Sequence, residues 1–214
     1  MKRSALSIKG VLKKADIQLV AVIIMIVIIC TAMSFVYDGF LSLYNIKAML
    51  MAYVPEGIIA LGLTLVIISG GIDLSVAGVM PFTAIVYCLM IKSGVNIWLG
   101  MLLVLLFAAA IGAANNFLRN LLNVHPFIVT MAVQLILKGF NLVVTGSSSI
   151  SGLPEPFMVL SRVRIFGFKL PLIILAVLAC VWAVMLAKNR FFRRVYFVGG
   201  NAKAADLCGI SVNR

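Results

Sequence analysis

Charge is what this sequence lacks most. Only 11% of its 214 residues are Asp, Glu, Lys or Arg, and just six of those are acidic. A soluble domain ordinarily carries about 25% charged residues, so too little charge is present to wet an exterior, and lipid has to be part of the solvent. Histidine occurs once, at His125. An intramembrane enzyme would need a Ser–His pair or two carboxylates at one depth, and neither is evident. The four cysteines, Cys30, Cys88, Cys180 and Cys208, form no CxxC or CxxH pair, which removes support for a metal site or a disulfide framework. Three of them lie within apolar runs and read as small core residues. No GxxxxGK[ST] motif occurs, so the chain is not expected to bind ATP itself. Internal repeats and low-complexity tails are also missing.

Apolar residues, by contrast, make up 64% of the chain, with a mean hydropathy of +1.19. The net charge of +12 would suggest nucleic acid in a soluble protein, but no basic helix, zinc spacing or aromatic platform accompanies it. Its location is more informative. Lys2, Arg3, Lys9, Lys13 and Lys14 precede the first apolar run, and Lys188, Arg190, Arg193, Arg194 and Lys203 follow the last. Basic blocks flanking apolar segments mark cytoplasmic ends under the positive-inside rule.

Crossing about 30 Å of hydrocarbon takes about 20 apolar residues in a helix. Six runs qualify: Ile17 to Val36, Ala48 to Ser69, Leu74 to Ile91, Gly100 to Leu118 with Ile97 to Leu99 at its entry, Pro126 to Thr145, and Leu170 to Ala187. The first is too long for a signal h-region and has no small-residue cleavage site after it, so it is expected to be a retained span. Leu41 to Lys47 reads as an outer interfacial connection. Pro126 is suited to a first helical turn. Six spans with the N-terminus inside return the C-terminus inside. Twelve basic residues then face the cytoplasm: the ten already named, Arg119 and Arg214. Five face outward: Lys47, Lys92, Arg162, Arg164 and Lys169. The break at Gly70-Gly71 leaves a second possibility, a re-entrant feature inside the membrane. The Ser-, Gly- and Pro-rich stretch after Thr145, running to Lys169, is too polar for lipid and is expected to fold over the outer mouth.

The most informative stretch runs from Ala60 to Ser75, Ala-Leu-Gly-Leu-Thr-Leu-Val-Ile-Ile-Ser-Gly-Gly-Ile-Asp-Leu-Ser. The paired glycines end one helix, and Asp73 stands where it can cap the next and face the positive end of its dipole. That makes Asp73 either a helix joint, satisfying backbone groups that lipid cannot, or a substrate or gating contact. Downstream, Asn201 suits an N-cap, Ala202 to Cys208 a short helix and Gly209 its C-cap. This small-residue knob is suited either to a groove on a soluble partner or to the bilayer surface, with Arg193 and Arg194 at the headgroups. His125, beside Arg119, reads as a loop-edge residue before it reads as a proton relay. Glu56 and Lys138 are ionisable groups within spans and hence functional suspects, although both lie toward outer ends where snorkelling accounts for them. Gly112, with Ala108, Ala109, Ala110 and Ala113, offers a face for close helix packing.

Three ordered stretches carry a family resemblance. Gly70-Gly-Ile-Asp-Leu-Ser-Val resembles the signature of the sugar-type ABC importer permeases, the group that includes ribose, xylose, arabinose, galactose and autoinducer-2 permeases. Val124-His-Pro-Phe-Ile-Val-Thr-Met, continued by Gly139 and Thr145-Gly, resembles that family's entry into its next span. Tyr196-Phe-Val-Gly-Gly-Asn-Ala-Lys-Ala-Ala-Asp-Leu-Cys-Gly-Ile-Ser-Val-Asn resembles its cytoplasmic coupling segment, most closely that of ribose permeases. The chain departs from the family pattern at Val76-Ala77-Gly78 and Ala114-Asn115-Asn116. Such permeases also ordinarily continue beyond the coupling segment, so the resemblance implies an N-terminal portion of a permease.

The resemblance implies an all-α polytopic helix bundle with a permease domain over 1–187 and a coupling segment over 188–214. It implies a non-enzymatic subunit of the bacterial inner membrane that passes a monosaccharide or similar small polar solute. ATP would be bound by a partner ATPase. An extracytoplasmic sugar-binding protein and a second permease subunit, identical or not, would complete the assembly. Gly200, Asn201, Ala204, Ala205, Leu207 and Gly209 would meet the ATPase. Candidates for the substrate path are Asp73, Asn115, Asn116, Gln134 and Asn141. The competing reading is an ion-coupled secondary transporter using Glu56, Lys138 or Asp73.

Overall fold

A computed structural model describes residues 8–210, apart from the side chains of 8–16, 18, 160, 161 and 202. The chain divides into two compact units, one through Ala52 and one from Tyr53.

The first unit holds α1 (Ile8–Val36) and α2 (Leu43–Ala52). From Leu19 to Val36, α1 is long and apolar enough to cross a membrane, and side chains such as Ile23 and Ile26 are exposed all along it. An apolar helix exposed on every side is stable only in lipid. Within the stretch expected as an outer interfacial connection, Leu41 to Lys47, α2 starts at Leu43.

The second unit begins with α3 (Val54–Ile68). The run expected as one helix from Ala48 to Ser69 is therefore two, parted at Tyr53. The cause is Pro55, which has no N–H to give the carbonyl four residues back and whose ring crowds it. Helical bonding resumes where Gly57 N–H donates to the Tyr53 carbonyl at 2.9 Å. At the other end Ser69 closes α3 and Gly70 takes a φ of +81°, so the glycine break falls where the sequence put it.

After the break come α4 (Val76–Lys92), α5 (Ile97–Leu122) and α6 (Pro126–Thr145). Asn96 caps α5 by accepting from the N–H groups of Trp98 and Leu99. His125 Nδ1 accepts from Phe127 N–H at 3.3 Å and Pro126 opens α6, which gives the lone histidine a capping role. These three helices pack on one another, and α4 meets α6 backbone to backbone. A Cβ built on Gly78 would lie 2.9 Å from the Gln134 carbonyl oxygen. Gly112, expected to serve this purpose, has nothing within 4 Å of such a Cβ. Its small-residue face is open within the described residues because α5 turns a different side to α4 and α6.

The stretch after Thr145 folds into α7 (Glu155–Arg162) and a two-stranded hairpin, β1 (Arg164–Ile165) with β2 (Phe168–Lys169), then enters α8 (Leu170–Lys188). Lys92 Nζ donates to the Ser151 carbonyl at 3.1 Å, and the Tyr87 and Phe157 rings lie 5.3 Å apart. The stretch is thus folded back over the far end of α4. Beyond α8 the chain turns at Asn189 into α9 (Arg190–Gly200) and α10 (Ala202–Leu207).

Among the described residues four helices are long and apolar enough to cross a membrane, and a fifth span results if α2 and α3 are taken as one. Helix α4, at 17 residues, is a shorter apolar helix in the position of the remaining expected run.

Candidate functional site

The break between α3 and α4 organises the polar residues. Asp73 Oδ1 accepts from Ser75 N–H at 2.8 Å and from Ser75 Oγ at 2.6 Å. Asp73 is therefore not the N-cap of α4, as the sequence suggested. It holds a turn two residues earlier, and Ser75 occupies the cap position with a helical backbone and no side-chain cap bond. A short carboxylate bonding its own chain two residues on is the usual chemistry of such turns.

From α5, Asn115 reaches into the same spot and donates from Nδ2 to Ser75 Oγ at 2.8 Å. Ser75 and Asn115 are 2% and 6% exposed. Asn115 Oδ1 has no partner in the structure. Buried amide oxygens are nearly always bonded, so among the described residues the network ends in an acceptor without a donor. Ser75 closes the motif in the sequence but was missed as a candidate, since only the tertiary fold brings Asn115 to it. Asn116, the next residue, is exposed, and Gln134 meets α4 through its backbone at Gly78.

Asn141 lies elsewhere, at the far end of the α4–α6 contact. It is 8% exposed and its Oδ1 is unpartnered. Together with Lys138 and Thr145 it lines a cavity of about 470 Å³ between α4, α6 and the loop after Thr145. Of the five substrate-path candidates, Asp73 and Asn115 thus share one polar place and Asn141 occupies another, while Asn116 and Gln134 join neither. Glu56 is exposed in the first turn of α3.

The coupling candidates meet the same break from the other side. Helix α9, absent from the sequence reading, has Phe192 buried against Trp182 at 5.7 Å between ring centroids. Its three arginines and six apolar side chains in eleven residues were the amphipathic signal. Helix α9 runs back to α3, where Gly199 lies directly on the Ile68 carbonyl. A Cβ at Gly199 would overlap that oxygen and sit 3.1 Å from the Ser69 carbonyl carbon, and one at Gly70 would lie 3.8 Å from Gly199 Cα. Two of the three motifs therefore touch through glycine backbones.

Asn201 caps α10 by accepting from Ala204 N–H at 3.0 Å, and Gly209 follows the helix with φ +76°. Gly200, Ala204 and Gly209 are exposed and Leu207 is 90% exposed. Ala205 differs. At 4% exposure it faces inward, on the side where α10 packs on α9, so it positions the helix and leaves the outward contacts to its neighbours.

The model for the permease component of branched-chain amino acid transport systems matches residues 42–214. Among curated proteins, the chain is similar to the ribose import permease protein RbsC of Bacillus subtilis (strain 168). It is 34% identical to that protein over 189 residues, covering 87% of this chain and 59% of the relative. The autoinducer 2 import system permease protein LsrD of Klebsiella pneumoniae is 32% identical, with 75% of this chain and 50% of the relative covered. The D-allose transport system permease protein AlsC of Escherichia coli (strain K12) is 29% identical, with 82% and 54% covered. The chain spans between half and three fifths of the length of these relatives. No solved structure gives a significant match. A family match over more than half the chain, on a helical architecture with several membrane-length spans, shows that this protein is a multi-pass inner-membrane member of the branched-chain amino acid transport system permease family.

Proposed function

We propose that this chain forms part of the membrane path of an ATP-driven importer for a monosaccharide or similar small polar solute. Residues 1–187 form the membrane part and residues 188–214 the segment that meets the ATPase. Three relatives are named for import of ribose, import of autoinducer 2 and transport of D-allose, which supports the substrate class. One observation carries the reading. The segment bearing α9 and α10 is seated on the end of α3 at Gly199, and the same break leads through Asp73 and Ser75 to Asn115. A push on α10 from a soluble partner thus has a backbone route into the α4–α6 group. ATP stays on that partner, an extracytoplasmic binding protein delivers the solute, and a second permease subunit completes the path.

Disruption of the gene in its own cells, followed by uptake of labelled pentoses and hexoses, tests this. Loss of high-affinity uptake of one sugar, sensitive to ATP depletion and indifferent to collapse of the proton gradient, is the expected result. Uptake that follows the proton gradient would replace the reading with an ion-coupled transporter.

A further inference from the structure

Basic residues crowd the turn from α8 into α9. Lys188 ends α8, and Arg190, Arg193 and Arg194 follow within six positions. All four are exposed, and none has an ion pair among the described residues. Past Glu155 the only acidic residue in the sequence is Asp206, exposed on α10. With 3.6 residues per turn, the three arginines share an arc of about 100°. The opposite side of α9 carries Phe192, Val195, Val198 and Gly199. Phe192 is buried against Trp182, and Gly199 lies on the Ile68 carbonyl. Trp182 stands six residues before the end of α8, about 9 Å into a span at 1.5 Å per residue. Helices α3 and α8 are neighbours, since a Cβ at Gly57 would meet the Leu175 side chain at 2.8 Å. Helix α9 therefore lies back across the adjoining ends of two apolar helices instead of projecting from them.

We infer that α9 is an anionic-lipid binding helix, held by phosphate headgroups at the membrane face where α8 ends. Clustered Lys and Arg beside a span attract acidic lipids, and a basic amphipathic helix with aromatic side chains lies in the interface plane. Placement favours lipid over a soluble partner. The four cations occupy the last residue of the span and the first five of α9, level with the headgroups. Leu207, the apolar tip that α10 offers to a soluble partner, is thirteen residues past Arg194. Phe191 and Tyr196, 64% and 48% exposed, flank the arginine arc on either side. Aromatic rings of this kind belong where headgroups meet acyl chains. Each guanidinium can pair a phosphate through two parallel N–H donors. The same helix carries Gly199, so headgroups that hold the arginines also hold α9 on the end of α3.

The chain holds two tryptophans, Trp98 and Trp182, and Trp182 lies against α9. The full chain carrying Trp98→Phe is placed in lipid nanodiscs. Quenching of Trp182 by phosphatidylglycerol brominated on its acyl chains, in competition with unbrominated phosphatidylcholine, reads which lipid sits there. Phosphatidylglycerol should be preferred at least about fivefold, the effect of one basic side chain at an anionic surface. Arg193→Gln with Arg194→Gln should bring that preference to about twofold or less. Arg193→Lys with Arg194→Lys keeps the charge and should stay within about twofold of wild type, which separates lost charge from a disturbed helix. With Trp182→Phe in place of Trp98→Phe, Trp98 at the start of α5 should report no preference. Equal affinity for both lipids at Trp182, an unchanged preference in the glutamine pair, its loss in the lysine pair, or the same preference at Trp98 would each overturn the inference. A preference that disappears when a tryptophan-free ATPase partner is added would also overturn it, and would assign the arginine face to that protein.

Discussion

Asn115 donates from Nδ2 to Ser75 Oγ at 2.8 Å across forty positions of sequence, and Ser75 Oγ in turn donates to Asp73. The two ends of this chain of bonds are unequal. Removing the serine hydroxyl strands a buried amide donor, whereas removing the amide leaves Ser75 still bonded to Asp73 and also removes an unpartnered oxygen. Ser75→Ala should therefore lower unfolding stability by about 1–3 kcal/mol, the cost of an unsatisfied buried group. Asn115→Leu should cost less. Denaturant titration in detergent micelles checks the order, and a larger loss for Asn115→Leu would contradict it.

Gly78 and Gly112 should respond oppositely to alanine. At Gly78 the new methyl would press on the Gln134 backbone, which cannot yield as a side chain would, so a loss of about 1–3 kcal/mol is expected for overpacking. At Gly112 the methyl meets nothing, and a mid-helix glycine replaced by alanine gains about 0.5–1 kcal/mol. The same titration compares them.

Gly199 and Gly200 make a second matched pair. A side chain at Gly199 drives α9 away from the Ile68 carbonyl, while one at Gly200 meets open space. Gly199→Val should abolish solute uptake while leaving membrane insertion and the ATPase activity of the assembled complex measurable. Gly200→Ala should keep uptake within about twofold, the effect of a surface change under ~0.5 kcal/mol.

Leu207 presents an apolar side chain 90% exposed at the tip of α10. Leu207→Asp should weaken association with the ATPase about tenfold or more, since burying a carboxylate in place of an aliphatic group costs beyond ~1.4 kcal/mol. Ala205→Trp should act differently, by displacing α10 from α9, and should show as protease sensitivity of the tail. Co-purification and limited proteolysis read the two effects apart.

Thiols placed at Ser149 and Ala204 should label from opposite faces of the membrane, the first from outside and the second from inside. The contacts of Lys92 with Ser151 and of Gly70 with Gly199 set these two positions at opposite ends of the second unit. Labelling of both from one face would exclude α8 as a single crossing between them.

Where local chemistry decides the outcome, the sequence was sufficient. Pro126 and Gly146 bound α6 at the expected residues, Gly70 breaks the chain after α3, and Asn201 caps α10. Each depends on one residue's own backbone preference. The reading fell short where partners come from afar. Nothing local tells which side of α5 meets α4, so Gly112 looked like the packing glycine and Gly78 did not. Ala205 and Ala204 are chemically alike, and only α9 decides which is covered. The α9 helix itself was overlooked because its arginines had already been assigned to the positive-inside pattern. At Tyr53 the cause is local instead, since Pro55 lies within the apolar run and its missing N–H ends the continuous helix there.

The seat of Gly199 on the Ile68 carbonyl also has a genetic consequence. Every single-base change in a glycine codon that alters the residue adds at least a Cβ, and at this position a Cβ overlaps backbone. No conservative missense step is therefore open at codon 199, whereas its neighbour at 200 tolerates additional atoms on steric grounds. A random mutagenesis screen selecting for uptake should recover substitutions at 200 and none at 199. Any second-site suppressor of a Gly199 change should fall at the end of α3, from Ile68 to Gly71, where backbone can be moved aside.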